Sequence, residues 1–298
     1  MSGEPFHGIF PYLVSPVDDT TGRIREDALR RLVSYLIDCG VHGLSPLGST
    51  GEFAYLTLDQ RKEIVRVVVD EAAGRVPVTP GVAAFATADA IQQARTFLEL
   101  GADGLVLILQ TFFPLSRPAI ESYFRTVAES VSCPVILYTN PGFQTADLNP
   151  EMVESLSHVS NIRYLKDASD NTGRILTTVN CLGDRMRVFS ASAHVPLLVF
   201  QVGGVGWMAG PACVLPKECV RLYELTKARR WDDALALQRP LWRINEVFQK
   251  YSLAGCIKAA LEIQGFPVGG PVPPQEPLTQ HLTFPGNHAQ IEIHGRQR

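Results

Sequence analysis

Apolar residues recur along most of the chain in two alternating forms. One is a short continuous run, as in GIFPYLV at Gly8–Val14, GLVLIL at Gly104–Leu109 and the stretch Pro134–Tyr138. Runs of that length bounded by turn residues read as strands covered on both faces. The other form has helical spacing. Leu29, Leu32, Val33, Leu36 and Ile37 fall on one helix face, and Gly40 closes that helix. Thr57 with Gln60 three residues on is a capping box, opening a helix that buries Ile64, Val67 and Val68 and stops near Gly74. Thr87 is placed to cap a third helix and Ser116 a fourth, while Asn149 and Pro150 make the N-cap and first residue of a fifth. Further strands are expected at Gly43–Leu47, Val76–Val82, Ile162–Leu165, Met186–Phe189 and Val205–Met208, with helices at Thr172–Leu182 and Val195–Val202.

Strands and helices thus alternate at a repeat of roughly 25 to 30 residues, which implies parallel strands with right-handed crossovers. Eight such units within about 225 residues match a closed (β/α)8 TIM barrel. An open doubly wound sheet would normally show GxGxxG after its first strand, and none is there. Past Pro216 the strands stop. Lys217–Arg229, Trp231–Lys250 and Ser252–Gln264 read as helices, and GGPVPPQEP at Gly269–Pro277 cannot continue one. The expected division is a barrel over 1–225 and a helical C-terminal appendage over 226–298, with no clear periodicity in the tail from Asn287.

Composition narrows the function classes. The 298 residues are 46% hydrophobic and carry a net charge of −3, which leaves no footprint for nucleic acid or an acidic membrane. No apolar run approaches the length of a membrane span, and MSGEPFHGIF lacks the charged segment and apolar core of a signal peptide. The six cysteines form no CxxC pair and are expected to be reduced thiols of a cytoplasmic protein. The seven histidines show neither HxxxH nor HxH spacing, so no metal is predicted.

Three stretches carry candidate chemistry, each at the C-terminal end of an expected strand, where barrel active sites lie. NIRYLKDASD at Asn161–Asp170 places Lys166 after a buried strand. Burial lowers an amine's pKa toward the range where it is a nucleophile able to form a Schiff base; the competing reading is a lysine snorkelling to solvent. GSTGEF at Gly48–Phe53 offers glycines for close backbone approach, a nest of N–H groups for an anion, and the hydroxyls of Ser49 and Thr50; the competing reading is a turn that caps the next helix. YTNPG presents Tyr138 after the fifth strand, either as a proton carrier or as a packed ring. An anion nest, a phenol and a desolvated amine on one rim suit a 2-oxo acid: the nest holds the carboxylate, the amine attacks the ketone and the phenol moves protons.

The order of these motifs, with GGVGW after the seventh helix, resembles the dihydrodipicolinate synthase and N-acetylneuraminate lyase family of class I aldolases, over about Gly8 to Pro277. The resemblance implies a (β/α)8 barrel with a helical C-terminal part, usually a homotetramer, and no external cofactor beyond the covalent Schiff base. It implies Lys166 as the Schiff-base lysine, Tyr138 as the proton shuttle, and Gly48, Ser49, Thr50 and Val205 around the 2-oxo acid. It departs from the synthases where they carry an arginine for the second substrate's carboxylate, since that position is Phe143. The tyrosine that a neighbouring subunit supplies in those enzymes is replaced by Phe112 or Phe113. Ser190 to His194 brings no carboxylate for sugar hydroxyls, unlike the lyases. Phe112, Phe113, Phe143 and Ser190 are therefore the expected second-substrate pocket, with Arg117 and Arg174 as cations able to restore the missing charge. The expected activity is Schiff-base aldol addition or cleavage of pyruvate or a related 2-oxo acid with an aldehyde or sugar-acid partner. Dehydration or decarboxylation of a keto-deoxy sugar acid, and a non-catalytic 2-oxo acid binding protein, are the alternatives.

Overall fold

The computed structural model describes residues 6–142 and 146–278, apart from the side chain of Gln249. Seven strands pair in parallel: β1 (Gly8–Pro11), β2 (Gly81–Ala84), β3 (Leu105–Leu109), β4 (Val135–Thr139), β5 (Ile162–Asp167), β6 (Arg187–Ser190) and β7 (Gly206–Ala209), in the order β1-β7-β6-β5-β4-β3-β2. The open edges at β1 and β2 are joined by Leu44 and Ser45. Ser45 bridges Tyr12, and Leu44 bridges Val78. Ser45 N–H donates to Pro11 O at 3.0 Å, and Leu44 N–H to Pro77 O at 2.9 Å. This short eighth rung closes the ring into a (β/α)8 TIM barrel.

Two strands are shorter than the apolar runs suggest, and proline explains both. Gly43–Leu47 keeps only its two bridging residues, because Pro46 has no N–H and Leu47 turns into the left-handed region at φ 63°. β2 starts late because Pro77 and Pro80 remove donors before it. The carbonyls of Pro77 and Pro80 still accept, from Leu44 and Val106.

The outer helices are α1 (Glu26–Asp38), α2 (Leu58–Ala72), α3 (Thr87–Glu99), α4 (Arg117–Glu129), α5 (Pro150–Leu156), α6 (Thr172–Leu182), α7 (Pro196–Gln201) and α8 (Pro216–Lys227). Thr57 and Gln60 form the expected capping box, and Ser116 and Asn149 cap as expected. Thr87 does not cap: it is the first helical residue, behind Ala86, and Asp89 supplies the negative charge of the first turn instead. α8 packs against β1. α9 (Trp231–Lys250) and α10 (Leu253–Ile263) then pack against each other and against the turn Gly210–Cys213 that follows β7.

Period-two alternation splits each strand between two cores. Leu105, Leu107 and Leu109 face the helices, while Val106 and Ile108 join Phe6, Phe10, Ile136 and Phe189 inside the barrel. On β5, Leu165 packs outward and Tyr164 inward. Lys166, two residues on from Tyr164, is thereby directed inside as well.

Candidate active site

Lys166 is only 6% exposed, and the β4–β5 register sets it directly beside Tyr138. Its Nζ lies 3.7 Å from the centre of the Tyr12 ring and 4.2 Å from that of Tyr138. The nearest carboxylate in sequence, Asp167, alternates to the other face. There it meets Arg174 Nε at 3.1 Å and accepts from Ser169 N–H at 2.7 Å. Among the described residues no carboxylate pairs with Lys166, and burial pulls its amine down to about 7. That shift corresponds to about 5 kcal/mol against the ammonium. Two ring faces return about 1–4 kcal/mol, so desolvation wins and a neutral fraction persists near neutral pH.

Tyr138 lies one residue before the end of β4, with its hydroxyl inside the barrel. Asn140 Nδ2 donates to that oxygen at 2.8 Å, and Ser49 Oγ stands 3.5 Å away. Burial raises the phenol's pKa, and the bonds from Ser49 and Asn140 oppose the rise. The side chain therefore remains a proton donor at neutral pH.

The GSTGEF loop follows the eighth rung. A Cβ on Gly48 would come within 1.8 Å of Tyr12 Cδ1, so glycine is required there by the ring that covers Lys166. Thr50 is buried and seated against the turn after β7, since a Cβ on Gly210 would lie 2.4 Å from Thr50 Oγ1. Ser15 Oγ donates to Gly51 O at 2.6 Å. Glu52 holds the loop's far end in a left-handed conformation, φ 54°. Its carboxylate reaches Lys258 Nζ on α10 at 2.6 Å and accepts from Val272 N–H and Gln275 Nε2, both at 2.7 Å. Both partners are fully buried, and Lys258 also donates to Gly270 O at 2.7 Å. Burial pushes the Glu52 carboxyl up and the Lys258 ammonium down, and each charge opposes the shift of the other.

Lys166, Tyr138, Ser49 and Thr50 line one cavity of about 750 Å³, as the strand-end argument expects. Other expected residues fall elsewhere. Val205 precedes β7, at the opposite end of the barrel from the cavity. Its backbone bonds Gly8 N–H and Val188 O there, and the strand delivers Gly210 to the cavity instead. Ser190 is fully buried and turns its hydroxyl to Ala191 O at 3.4 Å, while Ser192 lines the cavity in its place. Phe112 and Phe113 touch edge to face, 81% and 72% exposed, outside the cavity that Gln110 and Thr111 line. Phe143 lies outside the described residues. Arg174 is committed to Asp167 and bidentately to Asp147, at 2.8 and 2.9 Å, and Arg117 to Glu121 at 3.0 Å. Neither arginine lines the cavity. Sequence reasoning missed Tyr12, which sits inside an ordinary apolar run, and Glu52, whose partner is distant in the chain. It assigned Asn140 only to a turn. Among the described residues no group of three or more His, Cys, Asp or Glu side chains is placed to hold a metal ion, and no helix is long and apolar enough to cross a membrane.

Comparison with known proteins gives a consistent picture. The Dihydrodipicolinate synthetase family matches residues 5–283. The 4-hydroxy-tetrahydrodipicolinate synthase of Methanopyrus kandleri is 30% identical over 273 residues, covering 91% of each chain. A putative dihydrodipicolinate synthetase from Pseudomonas aeruginosa superposes with a TM-score of 0.89 at 28% identity, over 92% of this chain and 95% of that one. YagE, a prophage protein of the dihydrodipicolinic acid synthase family from E. coli K12 solved in complex with pyruvate, superposes at 0.87 with 29% identity, over 92% of this chain and 94% of that one. A match across nearly the whole chain places this protein in the dihydrodipicolinate synthetase family.

Proposed function

We propose that the protein forms a Schiff base between Lys166 and pyruvate or a closely related 2-oxo acid, and uses it to make or break a carbon–carbon bond with an aldehyde. Its family is one of lyases. The observation that carries the reading is a buried amine with no carboxylate partner among the described residues, its pKa near 7, set beside a protonated phenol on the neighbouring strand. The pyruvate bound to YagE supports the choice of 2-oxo acid.

The chemistry follows from the groups. Neutral Nζ adds to the keto carbon, giving a carbinolamine. Its hydroxyl leaves as water after protonation, a role we assign to Tyr138. Ser49 and Thr50 are assigned to the carboxylate. The resulting iminium withdraws electrons, so the adjacent methyl loses a proton and becomes an enamine. The enamine carbon bonds to the aldehyde carbon, the aldehyde oxygen takes up a proton, and water hydrolyses the imine to free Lys166. No external cofactor enters these steps.

We assign the aldehyde to a compound other than aspartate semialdehyde, because Phe143 stands where an arginine would hold its carboxylate, and Arg117 and Arg174 are engaged elsewhere. The same reading makes the protein a cytoplasmic homotetramer, with the exposed Phe112–Phe113 loop at a subunit contact. In this reading the 1–225 barrel carries the reacting groups, and the end of α9 and the start of α10 complete the cavity wall. Incubation with pyruvate and borohydride should leave a reduced pyruvyl group on Lys166, read by peptide mass spectrometry. Equal labelling of Lys166→Ala would overturn the assignment.

A further inference from the structure

The cavity extends well past the amine, and its walls bear on what else enters it. Rings reach it from two separate parts of the chain. Phe53 and Tyr55 come from one 3-10 turn and Phe85 from the loop after β2, at the barrel mouth, and Phe248 and Tyr251 from the end of α9. Phe85 is 66% and Tyr55 47% exposed, an unusual outlay of aromatic surface beside a cavity.

Charge points the same way. Among the described residues the only Lys or Arg lining the cavity is Lys166, which the Schiff base consumes. The iminium then balances the carboxylate of the 2-oxo acid. Glu52 is already balanced by Lys258, and Asp170 adds a carboxylate at the mouth. A second anion would meet repulsion and no cation. A polyol meets several polar side chains that are already engaged. Asn140 donates to Tyr138, Gln275 donates to Glu52, and Ser252 caps α10 through Gly255 N–H. Hydroxyls brought in without partners cost free energy, whereas a flat apolar ring loses nothing by leaving water.

Resting on the Schiff-base reading above, we propose that the second substrate is an uncharged aromatic aldehyde, seated among Phe53, Tyr55, Phe85, Phe248 and Tyr251. In the addition direction the pyruvate enamine carbon bonds to the arylaldehyde carbon, whose oxygen is protonated. Hydrolysis of the imine releases a 4-aryl-4-hydroxy-2-oxobutanoate, and cleavage is the exact reverse.

The test gives the wild-type protein pyruvate with benzaldehyde, glyceraldehyde or aspartate semialdehyde, and reads adduct formation by mass spectrometry beside a borohydride trap with pyruvate alone. The expected result is trapping on Lys166 and a kcat/KM for benzaldehyde about 10²-fold or more above both other aldehydes, the scale on which pocket chemistry discriminates. Trapping with glyceraldehyde or aspartate semialdehyde preferred, or with benzaldehyde unreactive, overturns the aromatic substrate and leaves the Schiff base standing. Absence of trapping overturns the Schiff-base reading itself, and the inference with it.

Discussion

The depressed amine of Lys166 makes a prediction that pH can read directly. An ordinary lysine with a pKa near 10.4 is neutral in fewer than about 1 in 10³ molecules at pH 7. With its pKa at about 7, half of the Lys166 amines are neutral there. Burial alone thus raises the concentration of nucleophile by roughly 10³-fold. The rate of imine formation with pyruvate, followed by timed borohydride quenching, should climb about tenfold per pH unit below 7 and level off above it. A rate that keeps climbing to pH 10 would show that Lys166 titrates normally and refute the argument. The same shift has a consequence for stability. The unfolded chain holds the lysine proton up to about pH 10.4, whereas the folded chain releases it near 7. Between those values the unfolded state binds more protons, so stability rises with pH across the window. Below pH 7 the cost of the buried ammonium is fully present; at pH 7 it is about 4 kcal/mol, and it vanishes above the unfolded pKa. Lys166→Met should therefore unfold at higher urea than the parent at pH 7, with the gain shrinking toward pH 10.

Tyr138→Phe should slow turnover by about 10² or more while pyruvate affinity changes much less, and an unchanged rate would reduce the phenol to packing. Glu52→Gln and Lys258→Met should each cost about 3–5 kcal/mol in urea unfolding, because each strands a buried charge. The double variant should cost clearly less than the sum of the two, whereas strict additivity would mean that the pair is not coupled.

The parts of the fold legible in the sequence are those set by local chemistry. The Thr57–Gln60 box, the Asn149–Pro150 helix start and the Gly40 stop each involve residues a few positions apart, and each is found where the sequence puts it. The eighth rung was legible as an apolar stretch, but its length was not. Proline's missing donor and the left-handed turn at Leu47 limit it to Leu44 and Ser45, while closure depends on neighbours at both edges.

The site divides along the same line. Lys166 and Tyr138 lie near the ends of strands, and Ser49 and Thr50 follow one, whose direction is fixed by alternation, so their end of the barrel could be read from order alone. Val205 failed because a glycine-rich segment can enter a strand as readily as leave one. GGVGW enters β7, and composition does not tell the two cases apart. What joins the readable residues into one site depends on register and on contacts between distant segments. β4 and β5 must pair so that Tyr138 meets Lys166, and Tyr12 must lay its ring where Gly48 has no side chain. Glu52 must find Lys258 across most of the chain, which ties the hydroxyl loop to α10. The half of the cavity away from Lys166 is built almost wholly in that second way. Phe53 and Phe85 come from the barrel, Phe248 and Tyr251 from α9, and no spacing in the sequence announces that they share a cavity. A motif can therefore disclose the reaction, because one strand end carries the reacting group. A partner molecule would be selected by walls drawn from several elements, and only their packing shows that this half is aromatic and that, among the described residues, it holds no Lys or Arg besides Lys166.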